Sequence, residues 1–82
     1  METGVLISKS ELLEIASKRV KLPNRKPLSA NYDTEADALF LKYSKNASVI
    51  SKSDYENGIT RDFDADNNLV GIEILDLQGL YE

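Results

Sequence analysis

The run Asp62-Phe63-Asp64-Ala65-Asp66-Asn67-Asn68-Leu69-Val70-Gly71-Ile72-Glu73 places carboxylates at loop positions 1, 3 and 5 and a glutamate at position 12. That is the oxygen-ligand spacing of an EF-hand calcium loop. Two requirements of that loop fail. Position 6, where a glycine makes the sharp turn, holds Asn67, and the flanks are not helical in character. Asn57-Gly58-Ile59-Thr60 is poor helix material, and Val70 to Ile74 alternates as a strand, which carries Glu73 away from the loop. The acidic run reads instead as a hairpin turn whose aspartates hydrogen-bond their own backbone.

A second acidic run, Asp33-Thr34-Glu35-Ala36-Asp37, has the same turn composition. If both turns lie at one end of a sheet, as the first and third turns of a meander do, then Asp33, Glu35, Asp37, Asp62, Asp64 and Asp66 share a surface. Such a cluster could hold magnesium or manganese for phosphoryl transfer, but only Arg61 is near in sequence as a further polar partner. Solvated turns that keep sheet edges apart are the weightier reading. The chain has no cysteine and no histidine, which removes disulfides, thiolate nucleophiles, the usual zinc ligands and Ser-His or Cys-His pairs. Gly4, Gly58, Gly71 and Gly79 stand singly, so there is no glycine-rich phosphate loop. No catalytic residue, metal ligand or cofactor is expected, and the chain does not read as an enzyme.

The elements that carry these turns follow from periodicity. Ser8-Lys9-Ser10-Glu11 has the capping-box spacing. Leu12, Leu13, Ile15, Ala16 and Val20 then fall on one arc of a helix of about three turns. Acid precedes base along it, as the helix dipole prefers, and Pro23 excludes helical conformation at the residue before it. Val5-Leu6-Ile7 ahead of the cap reads as a docking segment, and Asn24-Arg25-Lys26-Pro27 as a basic linker. From Leu28 the period becomes two: Leu28, Ala30, Tyr32; Leu39, Leu41, Tyr43; Ile59, Arg61, Phe63; Val70, Ile72, Ile74. Four strands with short turns predict an antiparallel meander, with residues 44–57 as its one longer connection. The expected class is α+β, an N-terminal amphipathic helix followed by a four-stranded antiparallel β-meander. It forms a single domain over 1–82, made of a helical basic head (1–27), an acidic meander (28–76) and a tail (77–82). The helix is the internal cover for the apolar sheet face.

Charge is unevenly distributed along the 82 residues, whose net charge is −4. Residues 1–27 hold six basic and three acidic side chains, a net of +3, and residues 28–82 hold four basic and eleven acidic, a net of −7. A basic head on an acidic body means either surfaces for partners of opposite sign or two halves that attract each other. Lys18, Arg19, Lys21, Arg25 and Lys26 form a weak footprint for nucleic acid, and a solvated face is the better account of them. No segment approaches the roughly 20 apolar residues of a membrane span, and the start lacks a signal-peptide pattern. A cytoplasmic protein without membrane contact is expected. A chain this small sits near the size at which one core barely outweighs chain entropy, so a homo-oligomer such as a dimer is expected too.

The strings Tyr32-Asp33-Thr34-Glu35-Ala36-Asp37-Ala38-Leu39-Phe40, Gly58-Ile59, Asp62-Phe63-Asp64-Ala65-Asp66 and Leu69-Val70-Gly71-Ile72-Glu73-Ile74-Leu75-Asp76 resemble the pattern of a widespread family of small bacterial proteins classed as a domain of unknown function. The resemblance covers about residues 28–76. It implies a small sheet domain with no assigned activity and neighbours resembling small RNase-like toxins. The family often has glycine where this chain has Asn67 or Asn68, a change that asparagine's tolerance of left-handed backbone accommodates. It also has alanine where this chain has Leu77, so the register from Gln78 to Glu82 stays open.

The function expected from these observations is a protein-binding module, with an antitoxin as its narrower form, whose acidic sheet domain engages a basic protein partner through Asp33, Glu35, Asp37, Asp62, Asp64 and Asp66. In that reading the basic helix could touch operator DNA. The alternatives are a homo-oligomeric structural or regulatory protein and a metal-dependent hydrolase using the turn carboxylates.

Overall fold

A computed structural model describes residues 8–79 of the chain; the expected docking segment Val5-Leu6-Ile7 lies outside them. The helix α1 spans Lys9–Arg19 and starts from Ser8, which is in extended conformation. The Ser8 hydroxyl accepts from the Glu11 backbone N–H at 3.3 Å, and the Glu11 carboxylate accepts from the Ser8 N–H at 3.4 Å. This reciprocal pairing satisfies two of the donors that a helix start leaves open. The helix stops at Arg19, before the restriction that Pro23 imposes. Val20 turns to φ −146, still donates its N–H to the Ala16 carbonyl, and buries its β-branched side chain in the core.

Five strands follow, not four: β1 Ser29–Asp33, β2 Ala38–Lys42, β3 Ile50–Asp54, β4 Ile59–Phe63 and β5 Leu69–Ile74. The additional strand, β3, lies inside the stretch expected to be a long connection. Its sequence, Ile-Ser-Lys-Ser-Asp, is exposed at every position, so neither face selects apolar residues and no alternation marks it. The sheet is antiparallel throughout but is not a sequential meander. Its order is β1-β2-β5-β4-β3, with the last strand inserted at the centre between β2 and β4.

The register aligns residues in rows across the sheet. On the helix side the rows run Tyr32, Leu39, Ile74, Ile59, Asp54 and Ala30, Leu41, Ile72, Arg61, Lys52. They are apolar over the first three or four strands and polar at β3, where the helix gives no cover. Leu12, Ala16 and Val20 of the head close over Leu39, Leu41, Tyr43, Ile59, Ile72, Ile74 and Leu77 to make the core. Burying apolar area of this kind stabilises by roughly 25 cal/mol per Å². Leu77, in the segment after β5, is buried in the same core. The opposite face stays open, with rows Asn31, Phe40, Glu73, Thr60, Ser53 and Ser29, Lys42, Gly71, Asp62, Ser51. Such one-sided packing, polar outside and apolar inside, is what an antiparallel sheet permits.

Candidate interaction surface

Because each strand reverses the last, the added β3 changes which turns share an end of the sheet. The β1–β2 and β3–β4 turns lie at one end, beside the exit of β5. The β4–β5 turn and the connection from β2 to β3 lie at the other. The expectation that residues 33–37 and 62–66 cluster at one end is therefore corrected. Asp33, Glu35 and Asp37 occupy one end, while Asp64 and Asp66 occupy the other. Asp62 is on the open face, where its carboxylate accepts from the Ser51 hydroxyl. Among the described residues no three carboxylates come together in a way that could hold a metal ion.

The six expected site residues also differ in what they touch. Asp33 accepts from the backbone N–H groups of Glu35 and Ala36 at 3.0 and 3.2 Å and shapes its own turn. Asp37 is fully buried, at 0 % exposure, in left-handed conformation (φ 53). Its carboxylate accepts from the Tyr32 hydroxyl and, at 3.1 Å to each oxygen, from the Gln78 N–H; its carbonyl accepts from the Leu77 N–H. The Gln78 side-chain amide donates in turn to the Tyr32 oxygen at 3.0 Å. Asp37 thus ties the first hairpin to the segment after β5, which is why residues 77 and 78 are packed.

Asp64 holds the other end. Its carboxylate accepts from the backbone N–H groups of Asp66 and Asn68, both at 2.9 Å, and from the Asn46 amide at 2.8 Å. The Asn68 N–H, then the Asn46 amide, hold its pKa below the ordinary carboxylate value against the opposing effect of burial. Asn67 next to it takes φ 65, the left-handed conformation that asparagine tolerates, so the loop is a hairpin turn without the helices an EF-hand needs. Glu35 and Asp66 remain exposed. Sequence reasoning missed the carboxylates of the β3–β4 hairpin because it missed β3. Asp54 accepts from the Asn57 backbone and side-chain amide, which lower its pKa, the side chain contributing most. Glu56 stands exposed beside it.

Two arginines of the head reach the sheet. Arg19 donates to the carbonyls of Leu75 at 3.0 Å, Asp76 at 2.5 Å and Asn57 at 2.8 Å, locking the helix end to two loops. Arg25 donates to the Leu69 carbonyl at 3.3 Å and stacks its guanidinium 5.3 Å from the Tyr43 ring centre. Burial raises the Tyr43 pKa, and the Arg25 charge acts against it. Of the five basic residues considered for nucleic acid, Arg19 and Arg25 are therefore used within the fold, and Lys18, Lys21 and Lys26 remain exposed.

The described residues thus form a helix-backed antiparallel sheet with one open, largely polar face and acidic turns at both ends. Residues 30–78 match the model of the family described as "Protein of unknown function (DUF2283)", and the chain belongs to that family. No curated protein and no solved structure matches the chain. No helix among the described residues is long and apolar enough to cross a membrane.

Proposed function

We propose that the chain is a protein-binding module whose acidic sheet domain engages a basic protein partner, an antitoxin paired with a small RNase-like toxin being the specific form. The supporting observation is how the head's arginines are used. Arg19 and Arg25 bond to main-chain carbonyls and an aromatic ring, so their reach to the body does not consume the body's carboxylates. That favours an outward-acting acidic field over mutual neutralisation of head and body. Uncompensated charge of one sign costs self-repulsion and speeds encounter with an oppositely charged partner. Glu35 and Glu56 at the two-turn end, and Asp66 at the other, are exposed and serve as the contact residues in this reading. Asp37 and Asp64, expected as contacts, have structural work instead.

The test is a pull-down from the native host followed by binding kinetics at several salt concentrations. A basic protein should co-purify, and its association should slow as the screening length falls to about 8 Å at physiological ionic strength. Glu35→Gln with Glu56→Gln should reduce the association rate more than the dissociation rate changes, and Asp66→Asn reports on the opposite end. Absence of a basic partner, or salt-independent binding of an acidic one, defeats the proposal.

A further inference from the structure

The strand β3 forms one edge of the sheet and pairs only with β4 among the described strands. All five of its residues are exposed, its first residue Ile50 over 48 % of its surface, and the flanking Val49 and Tyr55 are exposed over 58 and 92 % of theirs. A free edge of this kind is a template for another strand unless something blocks it. The direction of its free groups follows from alternation. The Leu75 N–H donates to the Gly58 carbonyl, so Gly58, Thr60 and Asp62 point their backbone groups at β5, and Ile59, Arg61 and Phe63 point theirs at β3. Their partners Asp54, Lys52 and Ile50 answer them. Ser51 and Ser53 therefore turn their N–H and C=O groups outward.

We infer that this edge pairs with the same edge of a second copy of the chain, antiparallel across a two-fold axis at Ser53, to give one continuous ten-stranded sheet. Side-chain charge selects this register. Keeping both helices on the same face allows the axis to fall on Ser51, Lys52 or Ser53. An axis at Lys52 sets that lysine against its own copy, which is repulsive. An axis at Ser51 sets Ile50 against Lys52. An axis at Ser53 sets Lys52 against Asp54 of the second copy, and Asp54 against its Lys52, both in the more closely spaced, non-hydrogen-bonded positions of the ladder. The same register sets Ser51 against Tyr55, which covers part of that exposed ring, and lets the outward groups of Ser51 and Ser53 complete the ladder. The contact is isologous, so it closes at two copies. The contact takes in Asp54 and Tyr55 beside Glu56 of the β3–β4 turn, and leaves Glu35 and Asp66, also proposed for the basic partner, outside it.

The test is the oligomeric state by sedimentation over a range of concentrations up to about millimolar, the weak-affinity limit for a short edge contact, with circular dichroism as a check on the fold. The parent chain should be a dimer. Ser53→Pro removes an N–H that the fold does not use and should give a folded monomer. Lys52→Glu should weaken dimerisation about tenfold or more, because like charges then face each other twice. Mixing Lys52→Glu with Asp54→Lys should restore a dimer that neither forms alone. If Asp54→Lys fails to fold for lack of its turn hydrogen bonds, the other two variants decide. A parent chain that stays monomeric at millimolar concentration overturns the inference, as does a dimer that survives both Ser53→Pro and Lys52→Glu.

Discussion

Replacing Asp37 should damage the fold more than replacing any other carboxylate of the hairpin turns. Its side chain is fully buried and accepts from the Tyr32 hydroxyl and the Gln78 backbone N–H, joining the β1–β2 turn to the chain after β5. In Asp37→Ala those donors lose their acceptor, at about 1–3 kcal/mol for each that stays out of water. Tyr32 is only half-buried and recovers part of its loss by hydration. Alanine must also adopt φ 53, at a cost of about 1–2 kcal/mol. The sum is about 3–5 kcal/mol, against a total stability on the order of 4–12 kcal/mol for a domain of this length. The variant should therefore lose at least about a quarter of that stability, and all of it where the total lies at the low end of the range. Asp37→Asn keeps an acceptor oxygen and the backbone preference, and should lose about 1–2 kcal/mol. Urea titration followed by circular dichroism measures both, and a double-mutant cycle with Tyr32→Phe isolates the pair at about 0.5–3 kcal/mol. Glu35→Gln, exposed in the same turn, is the control. An Asp37→Ala variant within about 1 kcal/mol of the parent would refute the assignment of this carboxylate as the tie between hairpin and C-terminal segment.

Arg19→Ala should destabilise by about 1–3 kcal/mol by freeing three carbonyls, and Arg19→Lys should recover little, since an ammonium lacks the planar fork that serves three acceptors; the same titration tests it. Asp64 titrates below its ordinary value when folded, so its contribution is present above about pH 4 and is lost as pH falls through the folded pKa. Thermal melts of Asp64→Asn should accordingly show a shallower loss of stability on acidification than the parent, and an unchanged pH profile would exclude this role. Deleting residues 1–22 removes Leu12, Ala16 and Val20 from the core and should unfold the chain or change its oligomeric state; a cooperatively melting chain of unaltered state would show that another surface covers the sheet.

The sequence alone was enough for features that depend on neighbours a few residues apart. The capping box at Ser8 and Glu11, the apolar arc of the helix, four strands of period two and the turn-forming aspartates are all local patterns, and the left-handed Asn67 follows from residue type. Only the tertiary structure supplied β3, because a strand exposed on both faces carries no alternation to read. It alone placed β5 between β2 and β4, a pairing between segments some 30 residues apart that no local pattern encodes. From that one strand and that one insertion follow the separation of the acidic turns to opposite ends, the burial of Asp37 against Gln78, and the use of Arg19 on backbone carbonyls. A carboxylate in a turn looks the same in sequence whether it meets water or a buried N–H. What decides is which distant segment the sheet brings beside it.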